Sequence, residues 1–151
     1  MKNIKQASFE DAATILELQK LAYQSEAQIY SDFSIPPLTQ SLDELRSDFA
    51  GKVFLKAQIE GKIVGSVRVY YTEDTCYVER LIVHPDYQRQ GIGAALMNQI
   101  ELSFDFVQRF ELFTGHKSER NIHLYEQLGY KIFKNVEINK NLSFVFMEKH
   151  R

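Results

Sequence analysis

The sequence predicts an α/β (α+β) fold: a single domain over residues 1–151, with a mixed central sheet of about six to seven strands flanked by about four helices. Three observations carry this. The spacing of apolar residues switches several times between a helical period and strand-like runs of β-branched and aromatic residues. Gly, Pro and Asn sit at the switches, where turns are needed. With 151 residues and 44% hydrophobic content, the chain can bury one substantial core, and no repeat, linker or low-complexity tract divides it.

Residues 8–30 carry Ile15, Leu18, Ala22 and Ile29 at helical spacing, with Ser8 as N-cap and Asp11 three residues on. The segment "SDFSIPPLTQSLDELRSDF" ends that helix at Pro36 and Pro37, and a second short helix follows, capped by Ser41 or Asp43. "VFLKAQIEGKIVGSVRVYY" is two strands joined by a tight turn at Gly61, and "TCYVERLIV" is a third. A helix beginning around Gly91 places Ile92, Leu96 and Ile100 on one stripe. "QRFELFTG" is a further strand and "SERNIHLYEQLG" a helix closed by Gly129. "YKIFKNVEI" and "LSFVFMEK" form a final pair of strands around "NKN". The expected order is α-α-β-β-β-α-β-α-β-β.

Composition narrows the function classes. A net charge of −2 gives no basic footprint for nucleic acid. The single cysteine, Cys76, excludes an intramolecular disulfide framework and points to a reducing compartment. Charged residues interrupt the N-terminal stretch where a secretory apolar region would stand, and no apolar run reaches the length of a membrane span. The expectation is a soluble cytoplasmic protein with no nucleic-acid or membrane partner. His84, His116, His123 and His150 lack metal-ligand spacing with Cys or carboxylates, so no metal is expected. Cys76 with His84 or His123 makes a poor nucleophile and base, because nothing orients the histidine and the thiol sits at a strand start; a structural cysteine fits better.

The informative stretch is "VERLIVHPDYQRQGIGAALM", residues 78–97. A strand stops at Pro85, and a basic, glycine-containing loop leads into a helix, so backbone N–H groups converge at a helix N-terminus where the macrodipole favours an anion. A dinucleotide fingerprint needs a third glycine where Leu96 stands, and a Walker loop needs a lysine and a hydroxyl that "GIGAAL" lacks. What remains is Gln88, two residues, Gly91, one residue, Gly93. That pattern resembles the pyrophosphate loop of the GNAT superfamily of acyl-CoA N-acyltransferases. The element order matches the GNAT fold over essentially the whole chain, and "NIHLYEQLGYKIF" resembles the family's second signature, an Asn and a Tyr on the helix before the closing strands.

The resemblance implies acetyl-CoA or CoA as cosubstrate and direct acetyl transfer to a primary amine in a ternary complex. Arg89, Gln90, Gly91, Ile92, Gly93 and Ala94 would offer successive N–H donors to the pyrophosphate, with Gln88 opening the motif. The strand before the loop, with Leu81, Ile82 and Val83, would pair with the pantetheine arm, and its N–H groups could polarise the thioester carbonyl. Asn121 would hold the pantetheine or phosphate arm, and Tyr125, one turn on, would protonate the departing sulfur. Tyr125 also has a plainer reading as a packed helix aromatic.

An alkylammonium, with a pKa of roughly 10, must lose its proton before attack. Glu79 is the candidate base, expected to share a strand face with Tyr77 and Leu81. The alternative is an exposed glutamate paired with Arg80 or a neighbouring strand. For the acceptor, the resemblance points to the first two helices and their connection, where Tyr23, Glu26, Tyr30 and Phe33, with Tyr77, suggest a partly aromatic pocket with one acidic contact. Small molecules and peptides both remain open as acceptors. Family members often dimerise, and "LSFVFMEK" offers an edge or apolar face for a homodimer. Two other function classes stand beside the enzyme. One is a non-catalytic CoA-binding sensor or regulatory module. The other is a structural or nucleic-acid-binding domain, which the acidic balance disfavours.

Overall fold

The computed structural model describes residues 2–151. In chain order the elements are β1 (Lys2–Gln6), α1 (Ala12–Ala22), α2 (Gln24–Tyr30), α3 (Pro36–Thr39), α4 (Leu42–Asp48), β2 (Val53–Ile59), β3 (Lys62–Thr72) and β4 (Thr75–Val83). They continue as α5 (Ile92–Ser103), β5 (Arg109–Gly115), α6 (Glu119–Gln127), β6 (Lys131–Asn139) and β7 (Leu142–His150). The seven strands form one sheet in the order β1-β2-β3-β4-β5-β7-β6. All neighbours are antiparallel except β4 and β5.

Three differences from the sequence expectation have physical causes. The chain opens with a strand that the expected order lacks. "KNIKQ" has one apolar side chain, Ile4, and an edge strand with a single partner, β2, needs no more. The helix expected over residues 8–30 is two helices broken at Tyr23, because its halves bury against different partners. Ile15 and Leu16 of α1 pack with Leu45 of α4 and Phe54 of β2, whereas Tyr30 of α2 hydrogen-bonds Ser118 beyond β5. "LSFVFMEK" lies between β5 and β6 and so is no edge; the edge is β6, exposed along its whole length. The aromatic face that was expected does exist, since Phe113 packs against Phe144 and Phe146 and is still 44% exposed.

Local signals set the helix ends. Ser41 caps α4 by accepting from the Glu44 N–H, while the Glu44 carboxylate accepts from the Ser41 N–H at 2.8 Å. Asp11 likewise accepts from the Ser8 N–H at 2.8 Å. On one side of the sheet, α5 buries Ile92, Leu96, Met97 and Ile100 against Val64, Val67 and Val78, each such side chain worth about 1.5–3 kcal/mol on burial. On the other side α1 packs over β3 and β4, and Leu45 of α4 packs with Phe54 of β2. Cys76 is fully buried among these apolar side chains, and burial pushes its thiol up to about 12, so it stays a neutral core residue.

Beneath α1, Arg68 is 2% exposed and donates to Gln19 and Asp48. Burial, with the like charge of Arg80, lowers it to about 10, which still leaves it charged at neutral pH.

Two irregularities of β4 position the site. Its parallel pairing with β5 is confined to Thr75–Tyr77 against Arg109–Glu111, so beyond Tyr77 the two strands diverge and leave a wedge. Within the wedge wall, Glu79 pairs with Arg68 and Ile82 with Ser66, so that Arg80 and Leu81 together face Val67, a bulge with Arg80 at φ 50°. The bulge cancels the expected common face for Glu79 and Leu81. Leu81 packs with the α5-side core, whereas Glu79 forms an ion pair with Lys52 and Arg80 donates to Gln40 on the α4 side.

Candidate functional site

A cavity of about 740 Å³ opens at the wedge. One wall is Leu81, Ile82 and Val83 of β4. The adjoining wall is the loop and helix start carrying Gln88, Arg89, Gly91, Ile92, Gly93 and Ala94. Asn121 of α6 faces them, and Tyr23 and Glu26 close the far side.

The loop conformation explains its residue types. Arg89 (φ 63°) and Gly91 (φ 77°) are both left-handed, and Gly91 caps α5. Glycine takes that conformation without strain, whereas a β-branched residue does not. Alternation of this kind turns successive N–H groups toward one concavity, at the positive end of the α5 dipole. Gln88 is the staple of the loop: its Nε2 donates to the Val83 carbonyl at 3.1 Å, and its Oε1 accepts from Arg120 at 3.3 Å, tying the loop to β4 and α6. Lys117, Arg120 and His123 join Arg89 on the cavity wall, so this end is rich in groups that attract anions. Lys117, Ser118 and Arg120 are cavity residues that the motifs did not mark, and His123, weighed above only as a base or metal ligand, joins them. The signal available was the N-cap serine opening "SERNIHLYEQLG".

Tyr125 stands behind the cavity wall, 6% exposed and in the α5-side core. Burial pushes its hydroxyl well above the usual phenol range, and Tyr23 and Glu26 are near enough to push it further. Among the described residues its hydroxyl makes no hydrogen bond, and no fully buried side-chain nitrogen or oxygen there lacks a partner, so the hydroxyl keeps a path to solvent. Asn121, one turn earlier, donates to Thr114 at 3.4 Å. Tyr23 is pushed up to about 12 by burial, with Arg80 pulling down and Glu26 pushing up. Tyr23 therefore sits between α2 and the bulge in β4, where the two sides of the wedge meet.

The other sequence-singled residues are placed differently. Glu79 does not line the cavity; it holds Lys52, the residue before β2, at 2.5 Å, and so its carboxylate pairs neither with Arg80 nor with a neighbouring strand. Tyr77 stacks on Tyr70, with ring centroids 5.0 Å apart, on that same side of the sheet. Tyr30 is buried and its hydroxyl is engaged by Ser118 and the Lys117 N–H. Phe33 is 55% exposed, outside the cavity. Among the described residues no cluster of His, Cys, Asp and Glu is arranged to hold a metal, and no helix is long and apolar enough to cross a membrane.

Comparison with known proteins gives a consistent picture. The family model described as "Acetyltransferase (GNAT) family" matches residues 13–130. The protein YqkA of Bacillus subtilis is 27% identical over 131 residues, 87% of this chain and 38% of YqkA. An acetyltransferase of Pectobacterium atrosepticum is 32% identical over 92 residues, 60% of this chain and 65% of that protein. The chain thus spans less than two thirds of the length of either relative. Among solved structures, the PaiA N-acetyltransferase from Thermoplasma acidophilum in complex with coenzyme A superposes with a TM-score of 0.82 at 17% identity, covering 100% of this chain and 99% of that one.

Proposed function

The chain belongs to the GNAT acetyltransferase family, and from that premise we propose that it transfers the acetyl group of acetyl-CoA to a primary amine within a ternary complex. The observation that carries this reading is the cavity itself, in which the left-handed loop before α5, the segment of β4 open on its β5 side and Asn121 share one space. A pyrophosphate meets the N–H groups of residues 89–94 and the α5 dipole. The pantetheine arm lies along Leu81–Val83, where β4 stays paired with β3 but its β5 side is open and can accept another extended chain.

Chemistry follows from what surrounds the wedge. The amine nitrogen attacks the thioester carbonyl carbon, and N–H groups on the open side of β4 stabilise the oxyanion. The C–S bond then breaks, Tyr125, kept protonated by its burial, gives its proton to the thiolate, and the second proton of the attacking nitrogen passes through water to restore the phenol. The proton of the ammonium goes to Glu79 through water, since Glu79 stands outside the cavity.

The test is thiol release from acetyl-CoA over a panel of primary amines, run beside a CoA thermal shift. Turnover with a shift supports the transferase. A shift with no turnover over the panel leaves a CoA-binding module, and no shift overturns both.

A further inference from the structure

The half-buried glutamates of this chain divide unevenly. Glu79, Glu101, Glu111 and Glu148 each sit in an ion pair, with Lys52, Lys149 and, for the last two, Arg109. Glu26 is half-buried as well, lines the cavity, and forms no ion pair among the described residues. A carboxylate withdrawn from water without a counter-ion is costly unless something else satisfies it.

What satisfies it is a directed chain of hydrogen bonds. The Lys117 N–H donates to the Tyr30 hydroxyl oxygen at 2.9 Å, and the Ser118 hydroxyl donates to Glu26 Oε1 at 2.6 Å. Tyr30 and Ser118 are 2.8 Å apart, and geometry alone lets either donate. The Ser118 hydrogen, however, is already committed to Glu26, and a hydroxyl has only one. Tyr30 must therefore donate to Ser118, and every donor in the chain points toward Glu26. The neighbouring glycine makes room for this: a Cβ at Gly115 would lie 2.0 Å from the Tyr30 hydroxyl oxygen. The chain uses one oxygen of Glu26 and leaves further lone pairs for a ligand.

We infer that Glu26, aimed by Ser118 and Tyr30, receives the ammonium group of the acceptor, and that the acceptors of this protein are alkylamines that arrive as cations. Tyr30 and Ser118 are positioning residues, fixing a carboxylate on the short helix α2 against the turn between β5 and α6. The inference rests on the acyl-transfer reading for the identity of the site, and its test is independent of turnover.

n-Butylamine and 1,4-diaminobutane are titrated calorimetrically into the CoA-saturated protein, with CoA affinity measured separately for each variant. Glu26→Gln should weaken amine binding at least tenfold. Ser118→Ala and Tyr30→Phe should weaken it roughly threefold to tenfold, the scale of one lost hydrogen bond, all with CoA affinity unchanged. Gly115→Ala, which displaces the Tyr30 ring, should weaken amine binding at least as much as Tyr30→Phe. Thermal unfolding confirms that each variant is folded. Failure of the wild-type protein to bind either amine, or equal binding by Glu26→Gln, overturns the assignment. Parallel loss of CoA and amine binding in Ser118→Ala and Tyr30→Phe also overturns it, since that marks a merely structural role. Absence of CoA binding by the wild-type protein would instead strike at the transferase reading.

Discussion

The wall proposed to seat CoA and the wall proposed to seat the amine meet in one cavity but are assembled differently. The first is contiguous chain: the end of β4, a loop and the first turn of α5, residues 81–94, with Gln88 reaching back only five positions to Val83. The second joins Tyr30 to Ser118 across 88 positions and Ser118 to Glu26 across 92. A local wall is fixed by turn chemistry and helix geometry, so it can be altered at one position. A long-range wall depends on the docking of α2, and it is altered by whatever moves that helix.

Behind these walls stands Tyr125, where the largest effect is expected. Tyr125→Phe should lower turnover by about 10²–10⁴-fold with acetyl-CoA affinity nearly unchanged, since the lost proton transfer matters in the transition state. Wild-type turnover in this variant, measured where chemistry limits the rate, would reduce the tyrosine to packing.

On the bulge side, Glu79→Gln should cost about 10²-fold at neutral pH and less as the solution itself deprotonates the amine. The signature is a pH–rate profile that rises toward that of the wild type. A loss constant with pH would mean that the substitution acts through Lys52 and the fold.

The local wall is tested at Gly91. At a hundredfold excess over its dissociation constant, CoA should stabilise the wild-type protein by about 2.7 kcal/mol. Gly91→Val, forcing a β-branched residue into the left-handed cap, should abolish that gain while the apo protein still folds. An undiminished CoA shift would remove the loop from the site.

The smallest effect concerns the footing of α1, which leads to the long-range wall. Burial raises the Asp11 carboxyl, but Lys56 at 2.7 Å and the Ser8 N–H outweigh it, and the net direction is below the usual carboxylate range. Glu148 is held low by Arg109. Carboxyls depressed by folding contribute stability that is present above their unfolded pKa of roughly 4 and is lost as pH falls through the lower folded value. Each pair is expected to contribute about 0–1 kcal/mol. Melting temperature should therefore drop slightly as pH falls below about 4, and less steeply in Asp11→Asn. An identical slope in that variant would show that the pair contributes nothing.

The same contrast separates what could be foreseen from what could not. Gln88, Gly91 and Gly93 after a strand, Ser41 with Glu44, and the stripe of Ile92, Leu96 and Ile100 were legible because each acts within a few residues of itself. β1 was not, because an edge strand with one apolar residue leaves no periodic trace. Nor was the break at Tyr23, where no Gly or Pro marks the chain and only the separate docking of α1 and α2 requires it. The bulge at Arg80 overrode strict alternation, and Glu79 consequently faces Lys52 while Leu81 faces the core.

By itself the sequence determined most of the helices and strands, the glycine-containing loop before α5 and the one-turn spacing of Asn121 and Tyr125, all of them set by short-range sterics, capping and periodicity. Only the tertiary structure decided that β4 and β5 part beyond Tyr77, that Gly115 lets Tyr30 reach Ser118, and that Glu26 alone among the half-buried glutamates of the described residues has no ion-pair partner. Those outcomes depend on which distant segments are packed against one another, and no local propensity encodes that.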